Sequence, residues 1–435
     1  MRVVETSPAS AQGIETDCLC SSIVRDAGVN FRADRAGRLP LGALFFVQAH
    51  ATGLWMVTFS NVLKTHGLEP IIPYAFACSA VAAFISPLFI GSLADEHISP
   101  ARLLRWLATG TAVFLALAFL AIERGWGITW VLIFFQLQAL FSAPTWGVST
   151  SIGLSALSNP AREFGPIRVW ATFGWMAAGS MTSYLLQADD SPRAGLVASL
   201  VWLGVAALSY SLPETARPAE KVGRSWRELF GLDALVLLRH RDHGMVFITA
   251  ALVSIPLSAF YPFAAMQLRD LGQPHVAAAM SLGQVTEIIS MYALAPLLAR
   301  FRMKWVLLTG IGFGVVRYAL FTLNNIPAMF AGIILHGVCF TLFYIPAQIY
   351  LDRRIDRRLH ARAQALLTLM VSGAGTLAGY LGCGWWREAC TTARGTEWPL
   401  YWSVLCGVLV AVFAFFAIIY QGIGRVEKGE APVKT

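Results

Sequence analysis

The sequence predicts an all-α integral membrane protein with twelve transmembrane helices arranged as two six-helix halves. Three observations carry that expectation. Of 435 residues, 56% are hydrophobic and only 13% charged, with a mean hydropathy of +0.60, whereas soluble domains carry about 25% charged residues. Apolar windows of the roughly 20 residues that span a bilayer as a helix recur along the chain. They lie near 41–63, 71–93, 103–122, 128–157, 167–187, 194–212, 244–266, 277–299, 304–323, 328–351, 362–384 and 398–421. The longest polar interruption, residues 213–243, falls between the sixth window and the seventh.

Residues 1–40 are polar and lack the apolar core of a signal peptide, so they read as a cytoplasmic tail. The expected organisation is therefore tail 1–40, first half 41–212, linker 213–243, second half 244–421 and tail 422–435. Basic residues orient it. With the N-terminus inside, 26 of the 33 Lys and Arg fall on the cytoplasmic side. Only Lys64, Arg124, Arg193, Arg269, Arg387 and Arg394 fall on the other side, and Arg317 is inside a helix. That asymmetry puts both termini in the cytoplasm and accounts for the net charge of +8 without nucleic acid. The seven cysteines form no CxxC pair or Cys/His cluster, so neither a metal nor a disulfide framework is expected. No phosphate loop or nucleophile triad argues for an enzyme, and no cofactor is expected.

Helix 1 carries Gln48, His50, Trp55 and Thr58. His50 reads either as a proton relay or as a packed hydrogen-bonder. The second helix ends in GSLADEHISPARLLR, where Gly91 allows close approach, Asp95 can face a helix N-terminus and Arg105 lies in the basic cluster. This stretch resembles the loop 2–3 signature of the major facilitator superfamily, except that Glu96 stands where a basic residue is usual. The resemblance implies a cytoplasmic gate at Gly91, Asp95 and Arg105; the alternative is a solvated turn.

Helix 4 holds Gln136 and Gln138 before Pro144, which can kink it. In helix 5, FGPIRVWATFGW places Arg168 and Thr172 on one face with Trp175 following, a set of forked donors, hydroxyl and aromatic suited to a planar polar ligand. Arg168 reads equally as a cytoplasmic-side anchor. In the linker, SWRELFGLDALVLLRH has the pattern of a short amphipathic helix lying on the inner leaflet. Helix 7 carries Pro256 and Pro262 around Ser258 and Tyr261, the pattern of a broken, cavity-lining helix. Helix 10 places Thr341, Tyr344 and Gln348 around Pro346.

The most informative stretch is SLGQVTEIISMYALAPLLAR, Ser281 to Arg300. Glu287 lies thirteen residues before Arg300, about 20 Å up the helix. A carboxylate at that depth marks a transport path or a proton relay. Arg317 lies at matching depth in helix 9, which raises an ion pair with Glu287; a structural arginine bonded to carbonyls is the alternative.

From residue 41 to 421 the chain resembles the nucleoside–proton symporter family of the major facilitator superfamily. The resemblance rests on FGPIRVWATFGW, SWRELFGLDALVLL, SLGQVTEII, VVRYALF and RAQALLTLM, in that order along the chain. It implies that Gln284 and Glu287 serve binding and coupling, and that Arg168, Thr172 and Trp175 bind substrate. The chain departs from the family at Ser258 and Tyr261, where an amide pair is usual, and at Thr341, where an aspartate is usual.

The resulting expectation is a multi-pass transporter of a bacterial inner membrane, monomeric, importing nucleosides or a similar polar solute with protons. Glu287 is the expected proton carrier. Gln284, Arg168, Thr172 and Gln138 are expected to bind the solute, with Trp175 or Tyr261 stacking on it. A sugar or glycoside permease and a transport-dead sensor are the alternatives.

Overall fold

The structure is a computed structural model that describes residues 35–95, 98–212, 227, 230–356 and 359–422. The expected tails lie outside the described residues up to Asp34 and beyond Gly422. The first helix already begins at Arg35, inside the stretch expected as tail.

The helices follow one another in twelve passes. In order they are α1 (Arg35–Met56, continued by Phe59–Thr65), α2 (Ile72–Asp95), α3 (Pro100–Glu123), α4 (Ile128–Ser142, then Thr145–Ala156), α5 (Pro160–Ser180) and α6 (Arg193–Leu208). The second group is α7 (Arg241–Leu257, resumed as Ala265–Asp270), α8 (Val276–Met280, then Gly283–Arg300), α9 (Met303–Thr322), α10 (Ile326–Arg354), α11 (His360–Thr368, then Thr376–Ala389) and α12 (Trp398–Ile419). Among the described residues, eleven passes are long and apolar enough to cross a membrane. The remaining one is α5 with its π-helical extension Met181–Leu185. It is long enough, but Arg168 and its small and polar residues make it less apolar than the others. Exposed Trp126 and Trp130 stand at one end of the bundle and exposed Trp106 and Trp305 at the other, as aromatic side chains do at the two interfaces of a bilayer.

Prolines break α4 and α7 where the sequence predicts. The α4 helix stops at Ser142 and restarts after Pro144. The α7 helix ends at Leu257, and a π-helical turn Phe260–Ala264 around Pro262 follows. Such turns arise where the i to i−4 ladder cannot close, and they frequently occur at functional sites. Pro346, by contrast, sits inside the uninterrupted α10.

Among the first six passes, α1 packs on α5 and α6, and α3 on α4 and α6. Among the last six, α9 packs on α10 and α12, α8 on α10, and α7 on α11 and α12. The two groups meet where α5 crosses α8, where α2 crosses α11 and where the end of α1 meets α7. Glycines permit the tightest of these crossings. A Cβ on Gly179 of α5 would overlap the Ser281 hydroxyl and the Ala277 carbonyl of α8. A Cβ on Gly337 of α10 would overlap the backbone nitrogen of Glu287.

The described part of the linker differs from the amphipathic α-helix expected there. Leu232–Arg239 forms a 3-10 helix. Gly231 takes φ +65°, and a Cβ there would overlap the Arg362 carbonyl of α11. Asp233 pairs with Arg362 at 3.4 Å, and Ala234 is fully buried. Docking against α11 therefore uses one side of the segment, while Leu235 and Val236 remain exposed.

Candidate functional site

The site is assembled from α5 and α8, which cross at Gly179, with α7 and α10 closing it from behind. Gln284 is buried one turn before Glu287 on α8, and Glu287 is half-buried. Arg168, two turns into α5, is exposed, with its guanidinium 4.7 Å from the Trp146 ring and 5.6 Å from that of Phe45. Arg168 is the opposite charge that acts on Glu287, and Glu287 the one that acts on Arg168. The two nevertheless form no ion pair within 4.0 Å, and Glu287 has no hydrogen-bond partner among the described residues. A carboxylate of one helix group and a guanidinium of the other thus act on each other electrostatically without forming an ion pair. In a membrane interior a carboxylate so placed is costly unless it binds a proton or a ligand partners it.

Aromatic and amide groups surround this pair. Tyr261 lies on the π-helical turn of α7, its ring 5.8 Å from that of Trp175 on α5. Thr172, half-buried, is one turn beyond Arg168. Gln138 is buried in α4.

Several expectations change. Arg317 and Glu287 do not pair. Arg317 is 1% exposed, and its Nη1 instead donates to Nδ1 of His336 on α10 at 2.7 Å. Equal depth does not make two helical residues face each other; helix rotation turns Arg317 toward the rings of Phe260 and Tyr318, at 4.6 and 4.8 Å. The His50 ring bonds to the Gly174 carbonyl at 3.1 Å and stacks on Phe46, which fits the packed hydrogen-bonder. The Ser258 hydroxyl donates to the Ser254 carbonyl at 2.7 Å and lies against Gly379 of α11. The side chains of Gly91 and Asp95 lie outside the described residues. Arg105 donates to the Ser209 hydroxyl at 3.1 Å and covers the Tyr210 ring at 3.3 Å, both at the end of α6.

Other residues that matter are absent from the sequence-based selection. His336, a lone histidine in an apolar run, is one. The rest belong to the end of the bundle opposite the termini, where side chains tie the two helix groups together. Lys64 pairs with Asp270 at 2.7 Å, Asp190 with Arg269, and Glu69 with Arg387. Asp189, 4% exposed, accepts from the Ala277 backbone N–H at 2.7 Å and from the Ser183 hydroxyl at 2.9 Å, while the Ala278 N–H donates to that hydroxyl at 3.0 Å. Ser60 donates to the Pro262 carbonyl at 2.7 Å. Burial raises the Asp189 carboxyl above the ordinary 3.8; the Ala277 N–H, the Ser183 hydroxyl, Arg269 and His275 oppose that rise. The only sequence signal for these pairs was the presence of charges in short loops of opposite sides of the chain, which does not reveal partners.

A sequence profile described as nucleoside H+ symporter matches residues 37–423. The chain belongs to the nucleoside H+ symporter family. Membership makes it a transporter of small molecules with protons rather than an enzyme. Among its relatives in Escherichia coli (strain K12), a protein named as a candidate nucleoside transporter, YegT, is 33% identical over 87% of this chain and 92% of its own length. The nucleoside permease NupG is 24% identical over 91% of this chain and 99% of its own. Xanthosine permease is 25% identical over 88% and 96%. The crystal structure of a NupG point mutant superposes with a TM-score of 0.82 at 22% identity, covering 88% of this chain and all of the other; that of unmutated NupG gives 0.77. The fold is therefore that of the NupG transporter.

Proposed function

We propose that the chain imports nucleosides together with protons by alternating access, with Glu287 as the proton carrier. The observation that carries this reading is the half-buried Glu287 carboxylate, which has no ion-pair or hydrogen-bond partner among the described residues and has Arg168 of α5 as the opposite charge acting on it. Proton binding removes the charge that keeps Glu287 costly inside the membrane, so the loaded site can be enclosed around a neutral carboxyl. Deprotonation restores a carboxylate that is costly to enclose and so favours opening to release the solute. Gln284, Arg168 and Thr172 supply donors and acceptors for ribose and base, and Trp175 and Tyr261 supply flat faces. Family membership and the nucleoside-named relatives support this solute class.

In this reading the two six-helix groups, divided at 213–243, are the moving bodies. Both termini lie in the cytoplasm of a bacterial cell, as the placement of Lys and Arg indicates, and the transporter works as a monomer. The inter-group bonds at the end away from the termini then seal the outer side, and the site communicates with the cytoplasm.

The test is uptake of radiolabelled nucleosides and sugars into proteoliposomes with and without an inward proton gradient. Nucleoside accumulation that requires the gradient is expected. Accumulation blocked by disaccharides and not by uridine or inosine would assign a sugar permease instead.

A further inference from the structure

Arg317 is an arginine without a carboxylate. It lies fully buried in α9, and among the described residues the one polar group it bonds is Nδ1 of His336, at 2.7 Å; its Nε and Nη2 have no partner. Its remaining surroundings are the Phe260 and Tyr318 rings. The His336 ring lies flat on Phe260, centroids 4.2 Å apart and planes 16° apart. It is half-buried, with its edge against Gly283, the neighbour of Gln284, and its centroid 5.7 Å from Tyr261. It therefore belongs to the wall that holds Tyr261, Gln284 and Glu287.

A guanidinium has five N–H donors and no acceptor. The bond from Arg317 therefore requires a lone pair on Nδ1, which leaves the single ring proton on Nε2. A second proton would set an N–H against an N–H and a cation against a cation. The charged or titratable side chains placed against the ring are Arg317 from α9 and Tyr261 from α7, and Gly337, the next residue after His336, lies against the Glu287 backbone of α8. Phe260 fixes the ring plane, and Arg317 fixes the tautomer.

We propose that Arg317 is a positioning residue that holds His336 as a neutral imidazole in one tautomer, and that His336 presents its Nε2–H to an acceptor on the solute. The acceptor would be a base carbonyl, a ring nitrogen or a ribose oxygen. The recognition half of this proposal rests on the transport reading above; the tautomer half does not. It also accounts for a missing function. At Ser258 and Tyr261 α7 presents no amide pair, the Ser258 hydroxyl donates to the Ser254 carbonyl, and α10 contributes a fixed donor instead.

Two measurements test it. Nitrogen-15 spectra of histidine-labelled protein in detergent, with His336 assigned by its loss in His336→Phe, report the tautomer without any solute. An unprotonated Nδ1 and a protonated Nε2 are expected throughout the range of about pH 5 to 8 in which histidines ordinarily titrate. Arg317→Met should release the ring to exchange tautomers and titrate, and Arg317→Gln, whose amide can donate to Nδ1, should restore the fixed form. A wild-type His336 that titrates in this range overturns the lock. In proteoliposomes, His336→Phe should raise the KM about tenfold for whichever solute the wild type carries, the effect of losing one neutral hydrogen bond, with little change in Vmax. Arg317→Met should raise KM in the same direction, and Arg317→Gln should recover it. An unaltered KM in a folded His336→Phe protein overturns the recognition half. A wild type that carries no nucleoside refutes the transport reading alone and leaves the spectra to decide the lock.

Discussion

Neutralising Glu69 should unseal the end of the bundle opposite the termini more than any other single change in its ion pairs. The three pairs differ in burial. The side chains of Lys64 and Asp270 are 37% and 31% exposed, and those of Arg269 and Asp190 are 38% and 34% exposed. Pairs so exposed are screened by water and contribute about 0.2–1 kcal/mol. Arg387 is 8% exposed against 32% for Glu69. Removing one partner of a fully buried pair costs about 3–5 kcal/mol because the other charge is left uncompensated. With Glu69 about one-third exposed, water recovers part of that loss, and about 2 kcal/mol is a reasonable figure for Glu69→Gln. At about 1.4 kcal/mol per factor of ten, the ratio of sealed to open molecules should fall roughly thirtyfold. Spin labels at Arg124, in the α3–α4 turn, and Arg394, in the α11–α12 hairpin, would report the separation of the two helix groups by double electron–electron resonance. Glu69→Gln should add a long-distance population, and Lys64→Gln should change the distribution by less than a factor of about five. An equal shift in the two variants would refute the ranking by burial.

The remaining predictions concern Asp189, the α8–α10 contact and Arg168. Because the sealed state raises the Asp189 carboxyl, it binds that proton more tightly than the open state. Its contribution is therefore full below the ordinary 3.8 and is lost as pH rises through the raised value. Asp189→Asn, which keeps the acceptor oxygen, should flatten that dependence in spin-label distances recorded across the acid range. Gly337→Ala places a Cβ on the Glu287 backbone and should lower stability by about 1–3 kcal/mol in a thermal unfolding assay, with loss of uptake, since backbone cannot move aside as a side chain can. Arg168→Lys retains the charge and loses the forked donors and planar stacking over Trp146, so nucleoside KM in proteoliposomes should rise roughly tenfold or more.

The helical passes were legible because a bilayer imposes length and apolarity on each of them, and the breaks at Pro144 and Pro256–Pro262 followed from the missing N–H of proline. Helix α10 runs uninterrupted through Pro346, as packing within a bundle can hold a helix through a proline. Glu287 and Gln284 stood out because polar groups at depth are costly. What could not be read was direction. Arg317 and Glu287 match in depth but differ in facing, and His336 became visible only when Arg317 was found pointing at it. The ion pairs at the end of the bundle opposite the termini join residues about 80 to 320 positions apart, and separations of that size carry no local pattern.

The central claim is that proton coupling resides in Glu287, and Glu287→Gln in proteoliposomes tests it most directly. Glutamine keeps the shape of the protonated acid and cannot exchange a proton. Nucleoside accumulation driven by a proton gradient should be abolished, while exchange of external for internal nucleoside persists. Gradient-driven accumulation at the wild-type level in this variant would contradict the account.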